Sequence, residues 1–232
     1  MAKTHIVIGA GEVGKAVFEV LKKHKYSVTI RDLDGRAEQK DVLHICYPFF
    51  KGFVKSVKNY IKIYQPSLVI IHSTVPVGTT RKISPIAVHS PIRGVHPHLA
   101  KGVMTFVKYF GGSKAKEAAK IFSTMGVKVK TFSKSETTEL LKILDTTYYG
   151  WNIIFAKEVA RICRERGLDF NEVYTDPNNT YNEGYKKLGK PNVVRPVLSP
   201  MPGKIGGHCI IPNLEFLNDW IGQTIKSRNK KY

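Results

Sequence analysis

The stretch Gly9-Ala10-Gly11-Glu12-Val13-Gly14 constrains this 232-residue chain more than any other. The apolar run Ile6-Val7-Ile8 precedes it, and Val13, Val17, Val20 and Leu21 follow at helical spacing. Strand, glycine turn and helix in that order let the backbone approach a pyrophosphate closely at a helix N-terminus. A second strand, Ser27-Val28-Thr29-Ile30, leads to Asp32, about twenty residues on, where a carboxylate can accept hydrogen bonds from an adenine ribose. A 2′-phosphate would be repelled there, so the pattern points to NAD rather than NADP, although the neighbouring Arg31 weakens that preference.

Further buried-strand patterns lie at Val42-Leu43-His44-Ile45 and Ser67-Leu68-Val69-Ile70-Ile71, with a helical pattern from Phe50 to Tyr64 between them. Residues 81–103, rich in Pro, His and Gly, suit connecting loop with one or two short strands. Val107 to Phe110 and Val127 to Val129 suit the last strands, separated by a Lys- and Ala-rich helix at 114–124. Strands alternating with helices call for an α/β fold of the Rossmann type, a doubly wound parallel sheet with helices on both faces. The first domain, the NAD-binding one, is expected over residues 1–132. Residues 133–232 then give a long proline-free helix at 135–165 and a small, mostly helical substrate or dimerisation domain. A domain that small buries little surface, so a homodimer through the long helix is expected.

The formal charge is +19. Its lysines are spread at spacings that suit the wet faces of helices, and no basic run is interleaved with aromatics, so nucleic acid is set aside as a partner. The cluster at 226–231 either touches a polyanion or frays. In either case a positive field draws in anionic small molecules, the expected substrate class. No run approaches membrane-spanning length and no secretory leader opens the chain, so a cytoplasmic protein is expected. The cysteines, Cys46, Cys163 and Cys209, lack paired spacing for a disulfide or metal site, so reduced thiols and no metal are expected.

Three further segments carry a resemblance. Asp41-Val42-Leu43-His44-Ile45-Cys46-Tyr47-Pro48, Ser73-Thr74-Val75-Pro76-Val77-Gly78-Thr79-Thr80 and Pro202-Gly203-Lys204-Ile205-Gly206-Gly207-His208-Cys209-Ile210 resemble, in order and approximate spacing, motifs of the UDP-glucose/GDP-mannose dehydrogenase family. The resemblance implies an NAD-dependent oxidoreductase acting on the CH-OH group of an alcohol such as a sugar nucleotide or another anion. It implies that Gly9, Gly11, Glu12, Val13, Gly14, Asp32, Tyr47, Pro48, Ser73 and Thr74 surround the cofactor. Cys209 would be the nucleophile that traps an aldehyde as a thiohemiacetal, with His208 lowering its pKa or stacking on the ligand. Lys142 matches the family's lysine on the long helix, which stabilises a developing oxyanion. Taken alone, a lone cysteine is most often a buried small residue and a helical lysine a surface one.

The chain departs from the family at Thr146, where an Asn is expected, at Ile92, where a Glu follows the proline, and at Asn213, where an Asp follows the cysteine. At this length the chain is expected to lack the family's C-terminal sugar-nucleotide domain. Hydrolysis of a thioester needs a base, so a double oxidation is in doubt. His96, in the segment Gly94-Val95-His96-Pro97-His98, is a candidate proton exchanger; the segment is similar to the His-Pro turn of prephenate and arogenate dehydrogenases. A loop or core hydrogen-bonding role fits His96 equally well. The alternative to an active enzyme is a catalytically degenerate NAD- or nucleotide-binding protein with a basic interaction surface.

Overall fold

The computed structural model describes residues 3–32, 39–94, 97–207 and 209–232. It divides into two compact units, residues 1–142 and 143–232.

The first unit is built on a seven-stranded sheet in the order β2-β1-β3-β4-β5-β6-β7. Its strands are β1 (Thr4–Ile8), β2 (Ser27–Arg31), β3 (Val42–Ile45), β4 (Leu68–Ile71), β5 (Ala87–His89), β6 (Lys108–Gly111) and β7 (Val129–Phe132). Strands β1 to β5 pair in parallel, and β6 pairs with β7 in parallel. The β5–β6 junction is antiparallel, through His89 and Gly111, so the sheet is parallel except at this one seam. Between β5 and β6 the chain passes through the short helix α4 (Leu99–Thr105).

Both faces are covered, which is why the central strands are apolar without alternation. One face carries α1 (Glu12–Lys23), α4 and α5 (Ala115–Ser123) over Val7, Val42, Ile70, Val88 and Phe110. The other carries α2 (Phe53–Tyr64) and α3 (Thr79–Ile83) over Ile6, Ile8, Leu43, Ile45, Val69 and Ile71. Connections from β1 run to β2 on one side and onward to β3 on the other. The carboxyl ends of β1 and β3 therefore flank the crevice where such sheets bind ligands.

Helix α6 (Ser135–Arg166) starts in the first unit and ends in the second. The second unit adds a π-helical turn (Asn171–Thr175), α7 (Asp176–Lys187), a short turn (Pro191–Val193), α8 (Ile211–Leu214) and α9 (Trp220–Asn229). Its core gathers Ile154, Ile205, Ile210, Leu214 and Ile225. Gly150 is the one glycine of α6, and a Cβ there would lie 2.7 Å from Ile210.

Four imidazoles are buried in the sheet unit: His5, His44, His72 and His89. Burial is the largest cause that pulls the pKa of His5 from 6.5 to about 4 and that of His89 to about 3, and it lowers His44 and His72 as well. The native state thus takes up these protons only at lower pH than the unfolded chain does, and stability falls as pH drops from the ordinary 6.5 towards about 4. Urea unfolding followed by circular dichroism should give a midpoint that declines steadily through this window. A flat midpoint would show that the imidazoles are solvated.

Candidate functional site

The glycine turn is shaped by contact. Gly9, at φ +101°, ends β1, and a Cβ there would lie 2.9 Å from the Tyr47 nitrogen and 3.0 Å from the Cys46 carbonyl carbon. A Cβ on Gly14 would sit 1.8 Å from the Gly9 carbonyl oxygen. Gly11 differs: it is the N-cap of α1, its backbone is extended, and a Cβ there would meet nothing within 4 Å. No side chain caps α1, so its first-turn N–H groups face the crevice with the positive end of the helix dipole. Glu12 and Val13 form that first turn, Glu12 exposed and Val13 half-buried against the core. The donor set and the space beside Gly11 fit a diphosphate. Asp32 is exposed just beyond the end of β2, the strand beside β1.

Tyr47 and Ser73 complete the crevice wall. Tyr47 is buried, and its hydroxyl donates to Ser56 Oγ at 3.0 Å. Ser73 Oγ donates to the Tyr47 carbonyl at 2.6 Å. Pro48 is exposed and Thr74 half-buried beside them. Thus Gly9, Gly11, Gly14, Tyr47 and Ser73 gather at one edge of the sheet.

Two residues that sequence reasoning passed over hold this wall to α6. His89 faces the Ser73 carbonyl through Nε2 at 3.1 Å and Thr138 Oγ1 through Nδ1 at 2.9 Å. The carbonyl can only accept, so Nε2 carries the proton and Nδ1 accepts from Thr138. Glu139, fully buried, accepts from the N–H of Gly78 at 2.6 Å and of Thr80 at 2.8 Å, clamping the turn that follows Ser73. Burial raises its pKa, against the lowering by these bonds. In sequence only an acid and a threonine one turn into a helix are visible, and their partners are brought to them by the fold. Lys142 follows Glu139 by three residues, so both lie on one face of α6, and its charge contributes to the lowered pKa of His89.

The second unit holds Cys209, which is exposed and in no disulfide, whereas Cys46 and Cys163 are buried. The loop around it is docked on α6. Asn213 Nδ2 donates to Thr146 Oγ1 at 3.4 Å, so two of the positions where the chain departs from the family motifs touch one another. Both are buried, and the pair is neutral. Lys157 donates to the Met201 carbonyl and, at 2.6 Å, to that of Gly203, pinning the start of the glycine-rich loop. Between that loop and the Tyr149, Ile153 and Lys157 face of α6 lies a cavity of about 370 Å³.

His96 and His208 lie outside the described residues. His98 is exposed at the start of α4. Ile92 is buried, and Arg93 stacks over Phe106 and Tyr109. Among the described residues, no three of His, Cys, Asp and Glu converge to hold a metal ion, and no helix is long and apolar enough to cross a membrane.

No family model matches the sequence. Individual relatives do. The chain is 30% identical over 200 residues to UDP-N-acetyl-D-mannosamine dehydrogenase of Methanococcus vannielii, a match covering 75% of this chain and 43% of the relative. It is 28% identical over 222 residues to the enzyme of that name from Methanocaldococcus jannaschii, covering 84% and 47%. The chain therefore spans about half the length of the curated relatives it matches. Among solved structures, UDP-D-ManNAc dehydrogenase from Pyrococcus horikoshii superposes with a TM-score of 0.78 at 17% identity, covering 98% of this chain and 68% of that one. Mycobacterium tuberculosis 3-hydroxyisobutyrate dehydrogenase gives 0.72 at 16%, covering 100% and 94%. At these identities the structures establish the fold, and the sequence matches carry the kinship. Together they make this chain a member of the nucleotide-sugar dehydrogenase family, which includes the UDP-glucose and GDP-mannose dehydrogenases.

Proposed function

We propose that the chain is an NAD-dependent oxidoreductase acting on the CH-OH group of a sugar nucleotide. The observation that carries this reading is the contrast among the three glycines: Gly9 and Gly14 are demanded by packing, whereas Gly11 is demanded by nothing in the protein. A position kept bare at an uncapped helix N-terminus is what a diphosphate requires. Asp32 holds the adenine ribose, and Tyr47, Pro48, Ser73 and Thr74 line the crevice towards the reactive end of the cofactor. Bound NAD supplies the hydride acceptor.

The remaining chemistry falls to side chains. Lys142 stabilises the negative charge that grows on the substrate oxygen as its proton leaves, and His96 is the candidate acceptor of that proton. Cys209, exposed on a loop between glycines and α8, is the candidate nucleophile towards the aldehyde. The altered positions Ile92, Thr146 and Asn213 leave out carboxylates and an amide that the family motifs would supply, so hydrolysis of a thioester formed on Cys209 would need its base from elsewhere. The names of the relatives make UDP-N-acetyl-D-mannosamine the first substrate to try. A homodimer is proposed from α6, which exposes Leu144, Tyr148, Phe155 and Ile162 along its length.

Three measurements test these statements. In calorimetry, Gly11→Leu should abolish NAD binding with little change in melting temperature, because nothing in the fold occupies that space. Gly14→Ala should instead destabilise the fold by about 1–3 kcal/mol through overpacking. Retained NAD affinity in Gly11→Leu removes the diphosphate from this turn. With substrate found by NADH absorbance, Lys142→Met should lower kcat by about 10²–10³ while sparing NAD affinity. Equal kcat would remove the lysine from the chemistry. Sedimentation should show a dimer that Tyr148→Lys with Phe155→Lys converts to monomer; a wild-type monomer at micromolar concentration refutes it.

A further inference from the structure

The first unit has a second concavity at the opposite edge of the sheet from the glycine turn. It is a solvent-open cleft of about 900 Å³ at the amino ends of β1 and β2, walled by the end of α1 and the outer turns of α5. Four lysines line it, Lys3, Lys23, Lys25 and Lys120, with one carboxylate, Glu117. That carboxylate is already engaged, by Lys3 at 2.7 Å and by Lys114 at 3.6 Å. Among the described residues Lys23, Lys25 and Lys120 have no carboxylate partner. They are not needed to cap α1 either, because the backbone N–H groups of His24, Lys25 and Tyr26 bond its last carbonyls. Lys25 sits at φ +62°, the left-handed position that usually takes glycine at a helix end. A lysine there carries a backbone penalty while placing a cation on the rim.

The inner wall is His5. Its Nδ1 is 3.0 Å from His44 Nε2, and its Nε2 is buried with no hydrogen-bond partner. Behind it, His44 Nδ1 is 3.0 Å from His72 Nε2, and His72 Nδ1 faces both the Ser90 carbonyl at 3.0 Å and Lys108 Nζ at 3.4 Å. Neutral imidazoles in such a row have two polarities. The Ser90 carbonyl can only accept, so in the free protein His72 Nδ1 carries the proton, every link passes its proton the same way, and His5 Nε2 is left a buried lone pair. When Lys108 donates to His72 Nδ1 instead, the Ser90 bond is lost, the row reverses and His5 Nε2 carries an N–H. An anion in the cleft favours that reversal.

We propose that this cleft is a binding site for a small molecule carrying two or more phosphates, separate from the glycine turn, with His5 Nε2–H as its innermost donor. Three unpaired lysines around a space of nucleotide size supply the charge, and the row of imidazoles supplies a donor whose direction the ligand sets.

The test is titration of the full chain with pyrophosphate, monitored by calorimetry and by nitrogen NMR of labelled histidine. In saturating NAD, wild-type protein should still bind pyrophosphate. Lys23→Ala with Lys120→Ala should weaken that binding about tenfold or more, the scale of a lost charge-assisted bond, with or without NAD. Lys116→Ala, outside the cleft, should leave it unchanged. Binding should also shift a histidine signal absent in His5→Gln from bare to protonated Nε2. Pyrophosphate binding that NAD abolishes, or that ignores the double substitution, overturns the proposal. The lysine comparison needs no NAD, so failure of cofactor binding at the glycine turn would show separately.

Discussion

The Gly9 carbonyl oxygen stands 1.8 Å from where any Cβ on Gly14 would be, and this approach of α1 to its own preceding turn sets the rest of the crevice. With α1 pressed down on the turn, Gly9 meets the backbone at Tyr47, whose carbonyl accepts from Ser73, whose carbonyl in turn accepts from His89. His89 Nδ1 in turn lies 2.9 Å from Thr138 Oγ1 on α6. Four strand ends and a helix are linked through one chain of hydrogen bonds and contacts. Each link is between neutral groups, so it is insensitive to salt, and each uses a buried donor that would be costly to orphan. The other tautomer of His89 would set a lone pair against the Ser73 carbonyl. Its tautomer is therefore fixed by its partners.

Helix α6 depends on the same arrangement. Its apolar residues do not gather on one face along its 32 residues, because different turns serve different partners. Thr138 and Glu139 face the sheet unit, whereas Thr146 and Gly150 receive Asn213 and Ile210 of the second unit. Glu139 is a buried carboxylate with two backbone donors, the N–H groups of Gly78 and Thr80, which offset the cost of its burial.

The doubly wound sheet, the glycine turn and the long helix were legible because each rests on a local pattern: period, glycine spacing, and absence of proline. Strand β5 was blurred, since Ala87-Val88-His89 is three residues long inside a segment rich in loop-formers. The antiparallel seam had no local signature, because it rests on the single pair His89 and Gly111, which only the fold brings together. The roles of His89 and Glu139 were hidden for a related reason. In sequence Glu139 reads as an acid complementing a helix N-terminus, and only the fold brings Gly78 and Thr80 to it. Thr146 and Asn213 read as separate departures, yet they are one contact.

The row His5, His44, His72 follows from register. His5 pairs with Val42 and His44 with Ile70, so each next histidine lies two residues further along its strand, on the same face. Phe122 of α5 covers His44 and His72 edge-on, and Lys108 lies 5.1 Å over the same ring. Apolar residues in these places would fill the core at no desolvation cost, whereas burial of Lys108 is costly enough to lower its pKa to about 7. Packing therefore does not explain them. A line of neutral rings joining the two edges of the sheet has one physical property that an apolar core lacks: a proton position at one end fixes the proton position at the other. The polar row makes the edge at His5 and the edge at Ser90 parts of one hydrogen-bonding system, at a cost in stability that grows with acidity.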